Sequence, residues 1–316
     1  MPGMKISKDL MTRKTSKLLV VITGPTAVGK TALAIDIARE LGTEIVSADA
    51  RQFYREIRIG TAMPEKDELL AVRHHLIGHL SVTGYYNVSM YEQQALAVLR
   101  NLFLTHDIAV LAGGSGLYID TLCHGIDSLP AVDPLVRRQV RRFYGEEGLA
   151  GVRSWLKRID PDYFKRVDAA NPNRMMRGIE VFLQTGKTYS GHMTGGLRER
   201  PFRVLTIVLN RDRAELHARI NGRVDRMIGN GLVEEALACF PHRNLNALNT
   251  VGYREIYAWL ANKWSLQEAV KQIKTQSRRY ARRQITWFRR YDDAVWFHPD
   301  DADAIKRHIR EAQIRL

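Results

Sequence analysis

Two cysteines in 316 residues, Cys123 and Cys239, stand far apart with no CxxC or Cys/His spacing around them. That scarcity excludes a disulfide framework and argues against a structural zinc site; it fits a reducing compartment, and the expectation is a cytoplasmic protein. Long apolar runs are also missing. The longest, such as Leu18 to Ile22, fall far short of the roughly 20 residues a spanning helix needs, so no membrane role is expected. Residues 1–16 are basic without an apolar stretch, which excludes a secretory signal and reads as a loose extension. No internal repeat and no low-complexity tract points to a solenoid. Acidic residues are the last shortage: 34 Asp+Glu against 48 Lys+Arg leave a net charge of +14. Such an excess points to an acidic partner larger than a nucleotide, namely nucleic acid.

What remains is ordinary globular composition, 45% apolar and 26% charged, in a chain long enough for one large or two modest domains. Its organising stretch is an apolar run, residues 18–22, that empties into Gly24-Pro25-Thr26-Ala27-Val28-Gly29-Lys30-Thr31 and then an alanine-rich helix. Glycines at 24 and 29 let successive amide N–H groups converge on one anion at the positive end of the helix. Lys30 adds a point charge, and the Thr31 hydroxyl is placed to coordinate a Mg²⁺ that the phosphates also hold. The loop alone does not say which polyphosphate it takes.

Apolar spacing predicts a helix over 31–41 closed by Gly42, a strand over 44–48 ending in Asp49, a helix over 89–104, and a buried strand over 108–112. A further β-rich run follows at 203–209. Strand–helix alternation of this kind predicts an α/β fold, a P-loop NTPase-like parallel sheet flanked by helices, with its chemistry at the carboxyl ends of the strands. Residues 131–200 show helical patterns and no convincing strand, with 14 Lys/Arg against eight acids. This gives a core of 17–122 and 201–316 and a helical insertion of 123–200. His74, His75 and His79 have no acid nearby and read as surface or hydrogen-bonded histidines. Over 265–290, Val270, Ile273, Tyr280 and Trp287 recur at helical spacing, flanked by arginines that include Arg282 and Arg283.

Asp49 sits just past the second strand, where it can be a general base or help hold Mg²⁺. The third strand ends without an acid, in Gly113-Gly114-Ser115; the glycines suit close approach to a substrate, and Ser115 can donate to a phosphate or leaving oxygen. These residues leave open a small-molecule kinase and a nucleic-acid binder with a degenerate nucleotide site.

The motifs together resemble the tRNA dimethylallyltransferase (tRNA isopentenyltransferase) family. They are residues 24–31, Ser47-Ala48-Asp49 to Tyr54, Ile59-Gly60-Thr61-Ala62, residues 113–118, Asn173-Arg174 to Glu180, residues 251–255 and residues 282–289. The resemblance runs from about residue 18 to 298. It implies transfer of a dimethylallyl group from dimethylallyl diphosphate to the exocyclic amine of the adenosine 3′ of the anticodon. Residues 24–31 would hold the diphosphate with Mg²⁺, and Asp49 would take the amine proton, with Ser115 and Arg137 also in the site. Contacts to the tRNA anticodon stem-loop would come from three stretches: Asp49, Ala50, Arg51 and Gln52; Asn173, Arg174, Met175, Met176 and Arg177; and Asn249, Thr250, Val251, Gly252, Tyr253 and Arg254. Arg282 and Arg283 would add charge, and a monomer is expected. Ala50 stands where the family usually has Ser, and Ser115 where it usually has Thr. A relative that modifies free adenylate is the nearest alternative, and it would not need so large a basic surface.

Overall fold

The computed structural model describes residues 16–127, 129–193 and 198–314; the expected N-terminal extension, but for Ser16, lies outside them. Backbone packing divides the chain into two units, one running to His124 and resuming at Glu199, the other Gly125–Arg198.

The first unit is built on a six-stranded sheet of order β3-β2-β4-β1-β5-β6, with every pairing parallel. Its strands are β1 (Leu18–Thr23), β2 (Ile45–Ser47), β3 (His74–His75), β4 (Ile108–Ala112), β5 (Arg203–Leu209) and β6 (Val295–Phe297). Central β1 is buried at every residue, as a strand covered on both faces must be. Leu19 and Val21 face a core shared with α3 (Val88–Thr105), α4 (Gly116–His124), α11 (Tyr253–Leu260) and α12 (Leu266–Phe288). Leu18, Val20 and Ile22 face the other, made with α1 (Lys30–Glu40) and α13 (Ala302–Ile314). Helix α9 (Arg213–Gly229) contributes to both, and the short α10 (Leu232–Ala238) follows it.

Strand β4 falls on residues 108–112 and β5 on 203–209, as the apolar runs predict. Edge strands β3 and β6 do not show in the sequence pattern. At two and three residues, and only half-buried, they are too short to display a period of two. His74 and His75 form β3, so two of the three histidines belong to the sheet edge; His74 Nδ1 meets the Val72 carbonyl at 2.8 Å and His75 pairs with Glu44. Among the described residues no cluster of three His, Cys, Asp or Glu is placed to hold a metal.

The second unit comprises α5 (Pro134–Ile159), broken at Gly148 where φ is 63°, α6 (Pro161–Arg166), α7 (Pro172–Thr185) and α8 (Tyr189–His192). Its own core gathers Val140, Val152, Leu156, Tyr163, Met175, Met176 and Ile179. Buried Asp160 caps α6 and also accepts the backbone N–H (2.8 Å) and hydroxyl (2.6 Å) of Ser190, closing the unit upon itself.

Candidate active site

The phosphate loop leaves the sheet at its centre, where β1 ends in Thr23. Gly24 has φ of 143°, and a Cβ there would stand 2.4 Å from the Leu209 carbonyl oxygen, so only glycine fits. Gly29, at φ 115°, caps α1 without a side-chain partner, which leaves the first amides of the helix open to an anion. Lys30 folds back over the loop, donating to the Gly24 (3.0 Å) and Pro25 (2.9 Å) carbonyls. Burial pushes its ammonium down to about 8, with Asp49 opposing the shift and Arg223 adding to it.

Arginines close the loop from α9 and the turn before it. Arg219 Nε donates to the Ala27 carbonyl at 2.9 Å, and Arg211 Nε to that of Val28 at 3.0 Å, itself paired to Glu215 and Asp300. Arg223 is half-buried, and its Nε, shut off from solvent, has no hydrogen-bond partner. Burial lowers its pKa to about 10, against the opposing pull of Asp49, so it stays charged at neutral pH.

Asp49 turns out of β2 toward the same end of the sheet. Its Oδ1 accepts the Arg51 N–H at 3.0 Å, which leaves the other oxygen uncommitted by that turn. Ser115 supports it from β4, accepting the Ala50 N–H at 2.9 Å while its own N–H binds the Ala48 carbonyl at 3.1 Å. Gly113 makes this approach possible: a Cβ there would lie 2.3 Å from the Ala48 carbonyl oxygen. Ser115 therefore orients the Asp49 turn, a role its position after the glycines did not reveal.

These parts enclose a cavity of about 470 Å³. Thr26, Lys30, Thr31, Asp49, Arg219 and Arg223 are among its polar lining residues, as are Arg58, Glu65, Glu68 and His74, while Ile59, Ala62, Met63, Pro64 and Ile77 supply apolar lining. A dianionic head on an apolar tail matches such a lining.

Other expected contact residues divide by exposure. Arg51 Nη1 reaches the Asn246 carbonyl at 2.9 Å, and the Gln52 amide is spent inward on the Thr61 (3.2 Å) and Ala62 (2.9 Å) carbonyls. Asn249, Arg254, Arg282 and Arg283 are exposed, whereas Gly252 and Tyr253 are buried, the Tyr253 hydroxyl donating to Glu235. In the second unit Asn173 and Arg174 face outward, but Met175 and Met176 are core residues. Arg137 makes a bidentate pair with buried Glu180, Nε at 2.9 Å and Nη2 at 3.0 Å.

Sequence reasoning missed Gln284, Arg219, Arg223 and Glu235. The two arginines carried a signal: with Arg226 they recur at four and three residues on α9, along one flank of the buried Leu216, Ile220, Val224 and Met227. Gln284 and Glu235 carried none, because a polar residue turned inward within a helical pattern resembles an exposed one.

A family model described as IPP transferase matches residues 52–291. The chain is 46% identical over 292 residues to tRNA dimethylallyltransferase 1 of Bacteroides thetaiotaomicron, covering 92% of this chain and 95% of that one. It is 47% identical over 291 residues to the enzyme of the same name from Phocaeicola vulgatus, covering 92% and 97%. The solved structure of a full-length tRNA isopentenylpyrophosphate transferase from Bacillus halodurans superposes with a TM-score of 0.71 at 30% identity, over 95% of this chain and 97% of that one.

Proposed function

Because the chain belongs to the IPP transferase family, we propose that it transfers a dimethylallyl group from dimethylallyl diphosphate to the exocyclic amine of the adenosine 3′-adjacent to the anticodon (position 37) in tRNA. It is a tRNA-modifying transferase. The observation that carries the reading is the shared cavity of Lys30 and Asp49, a cation for the leaving diphosphate and a carboxylate for the amine proton, with apolar side chains in the same lining.

In the reaction the allylic C1–O bond breaks and a C1–N bond forms. The open amides at the start of α1, with Lys30, Arg219 and Arg223, stabilise charge growing on the departing diphosphate. Asp49 receives the amine proton, an effect worth roughly 10²–10⁴ in rate. Its turn is held by Ser115, so the acceptor oxygen is oriented before the adenine arrives. That adenine must be splayed out of the anticodon loop, which costs a few kcal/mol that backbone contacts offset. Exposed Arg282 and Arg283 on the first unit, and Arg138, Arg141, Arg142 and Arg174 on the second, supply charge for those contacts. Arg137, fixed by Glu180, is assigned to the site on the resemblance to the family.

Mg²⁺ suits the donor set. The Thr31 hydroxyl and the Asp49 carboxylate are hard oxygens on the cavity wall, and a diphosphate-bound Mg²⁺ needs few protein ligands. Bound there, the ion would draw negative charge from the leaving oxygens. A cytoplasmic monomer is the accompanying reading; the two cysteines are buried and unpaired, and no described helix is long and apolar enough to cross a membrane. Sedimentation would test the oligomeric state.

The deciding experiment incubates purified protein with labelled dimethylallyl diphosphate, unmodified tRNA and Mg²⁺, beside AMP and ATP controls. Label on tRNA alone is expected. Label on AMP, or stoichiometric use of ATP, would overturn the assignment in favour of an adenylate-modifying relative or a kinase.

A further inference from the structure

One loop, residues 57–63, supplies much of the apolar lining of the cavity through Ile59, Ala62 and Met63, with Arg58 and Thr61 beside them. The loop is held from outside. Glu235, at the heart of α10, accepts the Ile59 N–H at 2.8 Å through one carboxylate oxygen and the Gly60 N–H at 2.9 Å through the other. The second oxygen also accepts the Tyr253 hydroxyl at 2.5 Å. Burial beside this carboxylate drives the Tyr253 phenol well above its ordinary range, so it remains a donor. The Tyr253 ring lies directly on Gly60: a Cβ there would come within 2.5 Å of the hydroxyl oxygen. On the inner side Gln52 holds the Thr61 and Ala62 carbonyls.

Held this way, the loop keeps Ala62 at φ 49°. A non-glycine residue stays in the left-handed region only where its surroundings over-determine it, and such positions gather at ligand clamps. Ala62 is also a lining residue, so the strain sits on the wall itself.

We propose that Glu235, backed by Tyr253, is a positioning residue that fixes the loop carrying the apolar lining and thereby restricts the donor to a five-carbon allyl chain. This rests on the reading of the cavity as a prenyl diphosphate site. Three donors, two loop N–H groups and a phenol, converge on two carboxylate oxygens. Glu235→Gln replaces one acceptor with an NH₂, leaves a loop N–H unpaired and frees the wall to yield. Tyr253→Phe removes one donor, and Ala62→Gly relaxes the strained residue while removing one methyl from the wall and from the edge of the core.

The test compares dimethylallyl with geranyl diphosphate, both as kcat/KM on tRNA and as equilibrium binding of their non-transferable thiolodiphosphate analogues. An apolar pocket rejects a single surplus methylene by about 10–200-fold. The preference for the shorter donor should fall roughly tenfold in Glu235→Gln and in Ala62→Gly, and less in Tyr253→Phe. A merely structural role would weaken both donors equally, and an unchanged preference would overturn the proposal. If Glu235→Gln fails to fold, Tyr253→Phe decides it, because it loosens Glu235 without altering a lining residue. Should the protein transfer nothing yet bind the analogues with a preference that these variants erode, the proposal stands and the proposed reaction falls.

Discussion

Gln284 holds the phosphate loop from an arginine-bearing helix: its Oε1 accepts the Thr26 N–H at 2.8 Å, and its Nε2 donates to the Gly114 carbonyl at 2.8 Å. Exposed Arg282 and Arg283 precede it on α12, so one turn of helix carries charge outward and an amide inward. Replacing Gln284 with Leu strands a buried N–H and a buried C=O, at a cost of about 1–3 kcal/mol each. Gln284→Leu is expected to lower Tm and weaken donor binding about tenfold or more. Calorimetric titration with the thiolodiphosphate analogue measures the second effect; unchanged affinity would mean that Gln284 serves only the helix.

Asp49→Ala should reduce transfer by at least about 10², the lower end for a positioned base, while tRNA still binds. Single-turnover rates with saturating donor check the first part and filter binding the second. Unaltered turnover would remove Asp49 from the proton transfer.

Gly113→Ala places a methyl 2.3 Å from the Ala48 carbonyl oxygen, one residue before Asp49. Backbone must move there, since no flexible side chain can give way. Activity should fall more steeply than in Gly222→Ala, where a methyl meets open space.

Lys30 sets a pH dependence. Burial lowers its pKa to about 8 from 10.5, so the free protein loses this charge as pH rises through 8. An anion binds the charged form, so donor affinity should decline above about pH 8, and Lys30→Met should flatten the decline. Stability moves the other way. Between pH 8 and 10.5 the unfolded chain binds more protons at this residue, so its contribution to stability rises with pH across that window and is lowest below it. Titrations of donor binding and of chemical unfolding against pH separate the two.

Neutralising Arg282 and Arg283 together should weaken tRNA binding and reduce the slope of log K against log salt by up to about 2, roughly 0.7–0.9 for each phosphate that is no longer neutralised. A slope that does not change would leave these arginines as a solvated face.

Much of this architecture is legible in the chain. Residues 108–112 and 203–209 declare themselves because strands covered on both faces need uninterrupted apolar sequence, and the glycines at 24 and 29 mark the loop because no other residue fits their geometry. Asp49 is legible from its place after a strand. Edge strand His74–His75 is not, being two residues long and half-exposed. Apolar spacing on α12 picks out Val270, Ile273, Tyr280 and Trp287, whereas the buried line runs through Ala269, Ile273, Ser277, Ala281, Gln284 and Phe288. Small and polar residues occupy it because the helix crosses close to Gly114 and the phosphate loop, and hydrophobic periodicity is blind to that kind of contact. Buried Met175, Met176 and Tyr253 show the complementary error, in which a contiguous motif mixes surface residues with the core residues that hold them.

Strand β1 is laddered on both sides, to β4 over residues 18–22 and to β5 over residues 18–23. Whatever grips the diphosphate is thus anchored to a strand held along both edges, and through a catalytic cycle it would act as the stationary jaw of a vice.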